Sequence, residues 1–136
     1  MAAYFLVKSE PDTYSFEDLQ RDGGTVWDGV RNFTARGHLK EMKLGDQVLF
    51  YHSGEGREVV GVAEVARESF PDPGDETGRF LAVELGYVRP LKAPVTLAAL
   101  KAEPSLADLK MVRQGRLSVS PVTPGEWKAI LRMAGE

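Results

Sequence analysis

The stretch Gln47-Val48-Leu49-Phe50-Tyr51-His52 runs through Ser53-Gly54-Glu55-Gly56 into Glu58-Val59-Val60-Gly61-Val62-Ala63-Glu64-Val65. Both flanking runs are rich in β-branched and aromatic residues, and a glycine-containing loop joins them, which is the pattern of a β-hairpin. A hairpin pairs sequential strands antiparallel, whereas a doubly wound sheet requires regular strand and helix alternation. The expected fold is therefore α+β: a strongly bent or barrel-like mixed sheet, with short helices inserted mainly before Gln47 and after Leu91.

Upstream of the hairpin, Ala3 to Lys8 reads as a buried strand ended by the turn Ser9-Glu10-Pro11-Asp12. Ser15 with Asp18 three residues later marks the start of a short helix through Leu19 and Arg21, which Gly23-Gly24 terminates. Asn32 or Thr34 caps a second helix running to about Met42, with Phe33 and Leu39 among its inward residues. Downstream, the prolines and glycine of Phe70-Pro71-Asp72-Pro73-Gly74-Asp75-Glu76 predict a surface loop. Arg79 to Val88 returns to a strand, and Pro90 and Pro94 flank a turn leading to a helix capped by Thr96. Leu106 to Leu109 suggests a further helical turn, and Leu117-Ser118-Val119-Ser120 alternates as a half-buried strand does. Thr123-Pro124-Gly125-Glu126 is a capping box with proline at the first helical position, opening a last helix with Trp127, Ile130 and Leu131 on one face.

A chain of 136 residues, 43% hydrophobic and 27% charged, is expected to form one domain with a continuous core. With no cysteine there is no disulfide framework, thiol nucleophile or cysteine-ligated zinc. Two histidines, His38 and His52, are too few for a histidine-rich metal site, so neither metal nor cofactor is expected. The short apolar run from Tyr4 to Val7 has no basic leader and no segment is long enough to span a bilayer, which predicts a cytoplasmic protein, nuclear in a eukaryote, with no membrane association. No obligate protein partner is evident. The net charge of −3 argues against strong non-specific binding to a polyanion, but leaves room for a local basic rim of Lys8, Arg31, Arg36, Lys40, Lys43, Arg113 and Arg116. Asp72, Asp75 and Glu76 are expected in a loop elsewhere.

The least ordinary chemistry lies in Val26-Trp27-Asp28-Gly29-Val30-Arg31-Asn32. Trp27 offers a rigid face for a flat ligand, Gly29 lets the backbone turn, and Arg31 and Asn32 add a fork of donors and a bidentate amide. Those parts suit the reading of a base. The same residues also describe a buried tryptophan anchoring a turn, a surface arginine and an asparagine capping the next helix.

Phe5-Leu6-Val7-Lys8-Ser9-Glu10-Pro11, Val26 to Asn32, Gly45-Asp46 with Gln47 to Ser53, and Arg116-Leu117-Ser118-Val119 with Pro121-Val122, taken in order, closely resemble the EVE domain family. The resemblance covers nearly the full chain and implies a PUA-like fold. It implies a nucleic-acid reader that accepts a modified, flipped base, of the 5-methylcytosine or 5-hydroxymethylcytosine type in DNA. Leu6 to Ser9 and Val26-Trp27 also resemble segments of YTH domains, which makes a modified RNA base the alternative. On this resemblance the base pocket comprises Ser9, Trp27, Asp28, Val30, Asn32, Tyr51, His52, Ser53 and Ser118, with Lys8, Arg31, Arg113 and Arg116 on phosphates. YTH cages use a second tryptophan from a later loop; here Trp127 falls in the last helix, where core packing is expected, leaving Phe70 or Tyr51 as substitutes.

The rival class is a hydrolase like those of the ASCH group, using Lys8 with Glu10, or His52 with Ser53. Adjacent strand residues point to opposite faces, which disfavours the second pair, and an ordinary surface ion pair accounts for the first. A module for protein contact is the third class; it requires a contiguous apolar surface patch.

Overall fold

The computed structural model describes residues 3–54 and 56–136; Met1, Ala2 and the hairpin-loop residue Glu55 lie outside the described residues. The chain runs β1 (Tyr4–Ser9), α1 (Phe16–Asp22), β2 (Gly24–Trp27), α2 (Phe33–Glu41), β3 (Gln47–His52), β4 (Glu58–Pro71) and β5 (Leu81–Thr96). It continues through α3 (Leu97–Ala102), a 3-10 turn at Pro104–Leu106, α4 (Lys110–Arg113), β6 (Val119–Val122) and α5 (Pro124–Met133). Among the described residues the strands form one six-stranded mixed sheet in the order β2-β5-β4-β3-β1-β6. β1 lies parallel to β3 and antiparallel to β6, and the hairpin pairs β3 with β4. The order does not return on itself, so the α+β sheet is open and not a closed barrel. No helix of the described residues is long and apolar enough to cross a membrane.

The core explains the unbroken apolar runs of the central strands. Val7 and Phe50 face one cluster with Phe16, Leu19, Ala35 and Leu39 from α1 and α2. Leu6, Leu49 and Tyr51 face another with Leu100, Met111, Trp127 and Ile130 from the C-terminal helices. A strand buried on both faces needs apolar residues at successive positions, and β1 and β3 supply them. Trp127 stacks on Tyr4 at 4.5 Å between centroids, a core position as expected.

Helix boundaries follow their caps. Ser15 and Asp18 exchange hydrogen bonds across the first turn of α1, and Thr123 and Glu126 do so in α5. Asn32, not Thr34, caps α2 by accepting the Ala35 N–H at 2.9 Å. Two expectations fail downstream. Phe70 and Pro71 belong to β4, pairing with Ala82 and Leu81, because proline at the strand's last residue removes no interior ladder bond. Pro90 and Pro94 lie within a continuous β5, where the register slips between the pairs Val59–Val95 and Gly61–Pro90; this bulge lets prolines sit in the strand without breaking a regular ladder. Near the C-terminus, Leu117 and Ser118 precede β6 instead of opening it, and the turn expected at Leu106–Leu109 falls between the 3-10 turn, which ends at Leu106, and α4, which starts at Lys110.

The Phe16 ring, between Phe50 and Tyr87 at 5.3 and 5.2 Å, lies directly on Gly61 of β4, where an added Cβ would come within 2.6 Å of three ring carbons. Gly61→Ala is expected to destabilise the protein by roughly 1–3 kcal/mol through overpacking, read from urea unfolding, with Gly37→Ala, which meets open space, as the mild control.

Candidate functional site

Trp27 ends the edge strand β2, and Asp28 to Asn32 cross from there to α2. Gly29 has φ of 76°, a conformation that favours glycine. The segment is gripped by Asp72, whose side chain is only 1% exposed. Its carboxylate accepts the N–H groups of Gly29 at 2.9 Å and Gly74 at 2.7 Å, and the Arg31 guanidinium at 2.7 Å. Burial acts to raise the Asp72 pKa, but the Arg31 and backbone hydrogen bonds prevail and hold it below the ordinary carboxylate value. Asp72 is thus not in a loop elsewhere. The pairing of β2 with β5, Trp27 opposite Val83, carries the 72–80 segment to the end of β2.

Around this segment opens a cavity of about 630 Å³. Of the expected pocket residues, Ser9, Trp27, Asp28, Val30, Asn32 and Ser118 line it, as do Lys8 and Arg31; Glu10, Thr13, Tyr14, Thr25, Val26 and Gly29 complete the wall. Trp27 is half-buried, fixed by near-perpendicular contacts with Tyr14 at 6.5 Å and Phe50 at 5.5 Å. The second aromatic of the cavity is therefore Tyr14, not Phe70, which packs under Arg67, nor Tyr51. Tyr14 carried a weak signal: it follows the β1 turn and precedes the α1 cap, so the chain must pass the end of β1 there.

The polar groups are partly committed. Ser9 Oγ donates to the Tyr14 carbonyl at 2.6 Å, and Lys8 Nζ to the carbonyls of Gly115 at 2.9 Å and Met111 at 3.5 Å. Burial lowers the Lys8 pKa. Asn32 spends its side-chain oxygen on the helix cap, and its amide NH₂ has no protein partner among the described residues. Arg31 is held by Asp72 and the Phe80 ring, 5.1 Å from its guanidinium, yet stays 43% exposed.

Other expected members lie apart. Strand alternation sends Tyr51 to the far face, where with Ser53 and Lys8 it lines a separate cleft of about 260 Å³ beside Arg57 and Lys101. His52 also misses the cavity: its Nε2 accepts the Phe16 N–H at 3.0 Å, closing the first turn of α1. Arg116 lines an adjoining cleft of about 310 Å³ that shares Asn32 with the cavity, while Arg113 faces Asp108 at 3.6 Å. Among the described residues no three metal-ligating side chains gather.

The EVE domain model matches residues 3–133. An NMR structure from Rhodopseudomonas palustris is 50% identical, with a TM-score of 0.93 over 98% of this chain and 94% of that one. The crystal structure of human THYN1 protein with DNA containing 5-methylcytosine is 29% identical, with a TM-score of 0.92 over 99% of both chains. A Zygosaccharomyces rouxii YTH domain in complex with N6-methyladenosine RNA, 21% identical over 98% of this chain and 86% of that one, has a TM-score of 0.59 and is alike in fold.

Two outcomes follow from the geometry. Asp72→Ala strands two N–H groups and loosens the Trp27 segment, so a loss of about 3 kcal/mol in urea unfolding and altered tryptophan fluorescence are expected. Burial lowers the His52 pKa against the opposing pull of Glu17 and Glu58. Its neutral form is the folded one, so its contribution is full above the ordinary value of about 6.5 and is lost as pH falls through the lower folded value. The melting temperature should fall more steeply from pH 7 to acid than that of His52→Gln.

Proposed function

The chain belongs to the EVE domain family, and on that premise we propose that it acts, as a single domain, as a reader of a modified base in nucleic acid, received in the Trp27 cavity. The observation that carries this reading is the cavity itself. Its size lies within the roughly 300–1,000 Å³ of small-ligand pockets, and it pairs two aromatic side chains with convergent donors. Extruding a base costs a few kcal/mol, and stacking on one aromatic returns about 1–3 kcal/mol, so stacking on Trp27 requires support from edge contacts. We assign that support to the Asn32 NH₂, the Ser118 hydroxyl, the Ser9 hydroxyl as an acceptor, and the backbone beside Lys8 and Asp28, all of which line the cavity. For the phosphates, Lys8 and Arg31 stand at the cavity and Arg116 in the adjoining cleft, while Arg113 lies earlier in the chain and lines neither.

The homologous human protein in complex with 5-methylcytosine DNA supports DNA as the nucleic acid and a modified cytosine as the base. A binding role also suits the groups that a hydrolase would employ. His52 accepts a backbone N–H, and Lys8 reaches carbonyls of the chain before β6. Neither arrangement is a proton relay.

Equilibrium binding to matched DNA and RNA oligonucleotides differing in one base modification tests the reading. Preference for one modified DNA, reduced about tenfold or more by Trp27→Ala, is expected. Equal weak binding to every oligonucleotide, unchanged in the variant, would refute it.

A further inference from the structure

Phe33, expected to face inward from α2, is instead the one largely exposed aromatic side chain among the described residues, at 59% of its surface. Its position is nevertheless fixed. The ring stacks on Phe80 at 5.0 Å with 22° between planes, and the Arg36 guanidinium lies over it at 5.3 Å. Arg36 is itself tied to the Arg79 carbonyl at 2.9 Å, and Phe80 receives Arg31 at 5.1 Å and donates its N–H to Asp75 at 2.8 Å. Burial does not account for such a residue; a rigid aromatic is presented to solvent beside the Phe80 ring and the Arg36 guanidinium.

Its place in the chain suggests the occupant. Asn32 lines the base cavity and Phe33 is the next residue. A duplex that gives up a base keeps a gap in its stack beside the departing sugar, and proteins that unstack base steps fill such gaps with apolar side chains. We propose that Phe33 is a wedge that enters the base step vacated in duplex DNA, with Arg31 and Arg36 on the flanking phosphates. This rests on the base-reading function of the Trp27 cavity and extends it: the target is a double strand, and Phe33 replaces the lost stacking.

The test measures affinity of the wild type, Phe33→Ala and Trp27→Ala for a duplex and for the corresponding single strand, each bearing one 5-methylcytosine. The single strand has little stacking to replace, so it reports the cavity alone. Phe33→Ala should lose about tenfold or more on the duplex and remain within about twofold of wild type on the single strand. Trp27→Ala should lose on both. Unchanged duplex affinity in Phe33→Ala, or equal losses on both ligands, overturns the wedge while leaving the cavity standing. No loss on either ligand in Trp27→Ala removes the base-reading premise itself.

Discussion

A carboxylate taken out of water must find donors to replace it, and Asp72 finds them in two backbone N–H groups and one guanidinium. Those donors belong to different parts of the chain: Gly29 and Arg31 follow β2, while Gly74 follows β4. The contact therefore sets the path of the Asp28–Asn32 segment, which forms one wall of the cavity. It also fixes Arg31, whose stack on Phe80 leads to Phe33 and Arg36. Remove the carboxylate and the wall beside Trp27, the anchored arginine and the exposed ring lose a common reference.

The second constraint is parity. β1 and β3 are buried on both faces, so each successive side chain commits to a different half of the molecule. Phe50 supports Trp27 from one face, and Tyr51 joins the C-terminal helices on the other. Where β1 ends, Lys8 lines both the main cavity and the far cleft, held by carbonyls at Met111 and Gly115. The strand ends thus place polar groups at the cavity mouth, while the strand interiors remain apolar.

What was legible in the sequence was local. Caps at Ser15, Asn32 and Thr123 act over three residues, and the hairpin around Ser53 is a contact between neighbours in the chain, so composition alone places them. Trp27, Asn32 and Ser9 at one cavity follow the resemblance carried by their motifs. Contacts at long separation were hidden: Asp72 reaches Gly29 across 43 residues, and nothing in its loop composition distinguishes it from Asp75. Tyr51, His52 and Ser53 looked like one wall because they are consecutive, and alternation turns Tyr51 and Ser53 to the far cleft and His52 to α1. Pro90 and Pro94 looked like strand breakers because a bulge depends on the partner strand's register, which no single strand encodes.

Charge bears on how such a site discriminates. The chain carries a net charge of −3, and two of the cations expected on phosphates already have acidic partners: Arg31 has Asp72, and Arg113 faces Asp108. On the proposed function, a reader assembled this way gains little from the phosphate backbone alone, because counterion release scales with the number of phosphates neutralised. Weak attachment to unmodified strands is then an advantage, since most of the affinity must come from contacts made after a base has left its stack. On the proposed function, the aromatic pair Trp27 and Tyr14 and the uncommitted Asn32 amide carry that selective share, and the cations orient a strand that the cavity has already accepted.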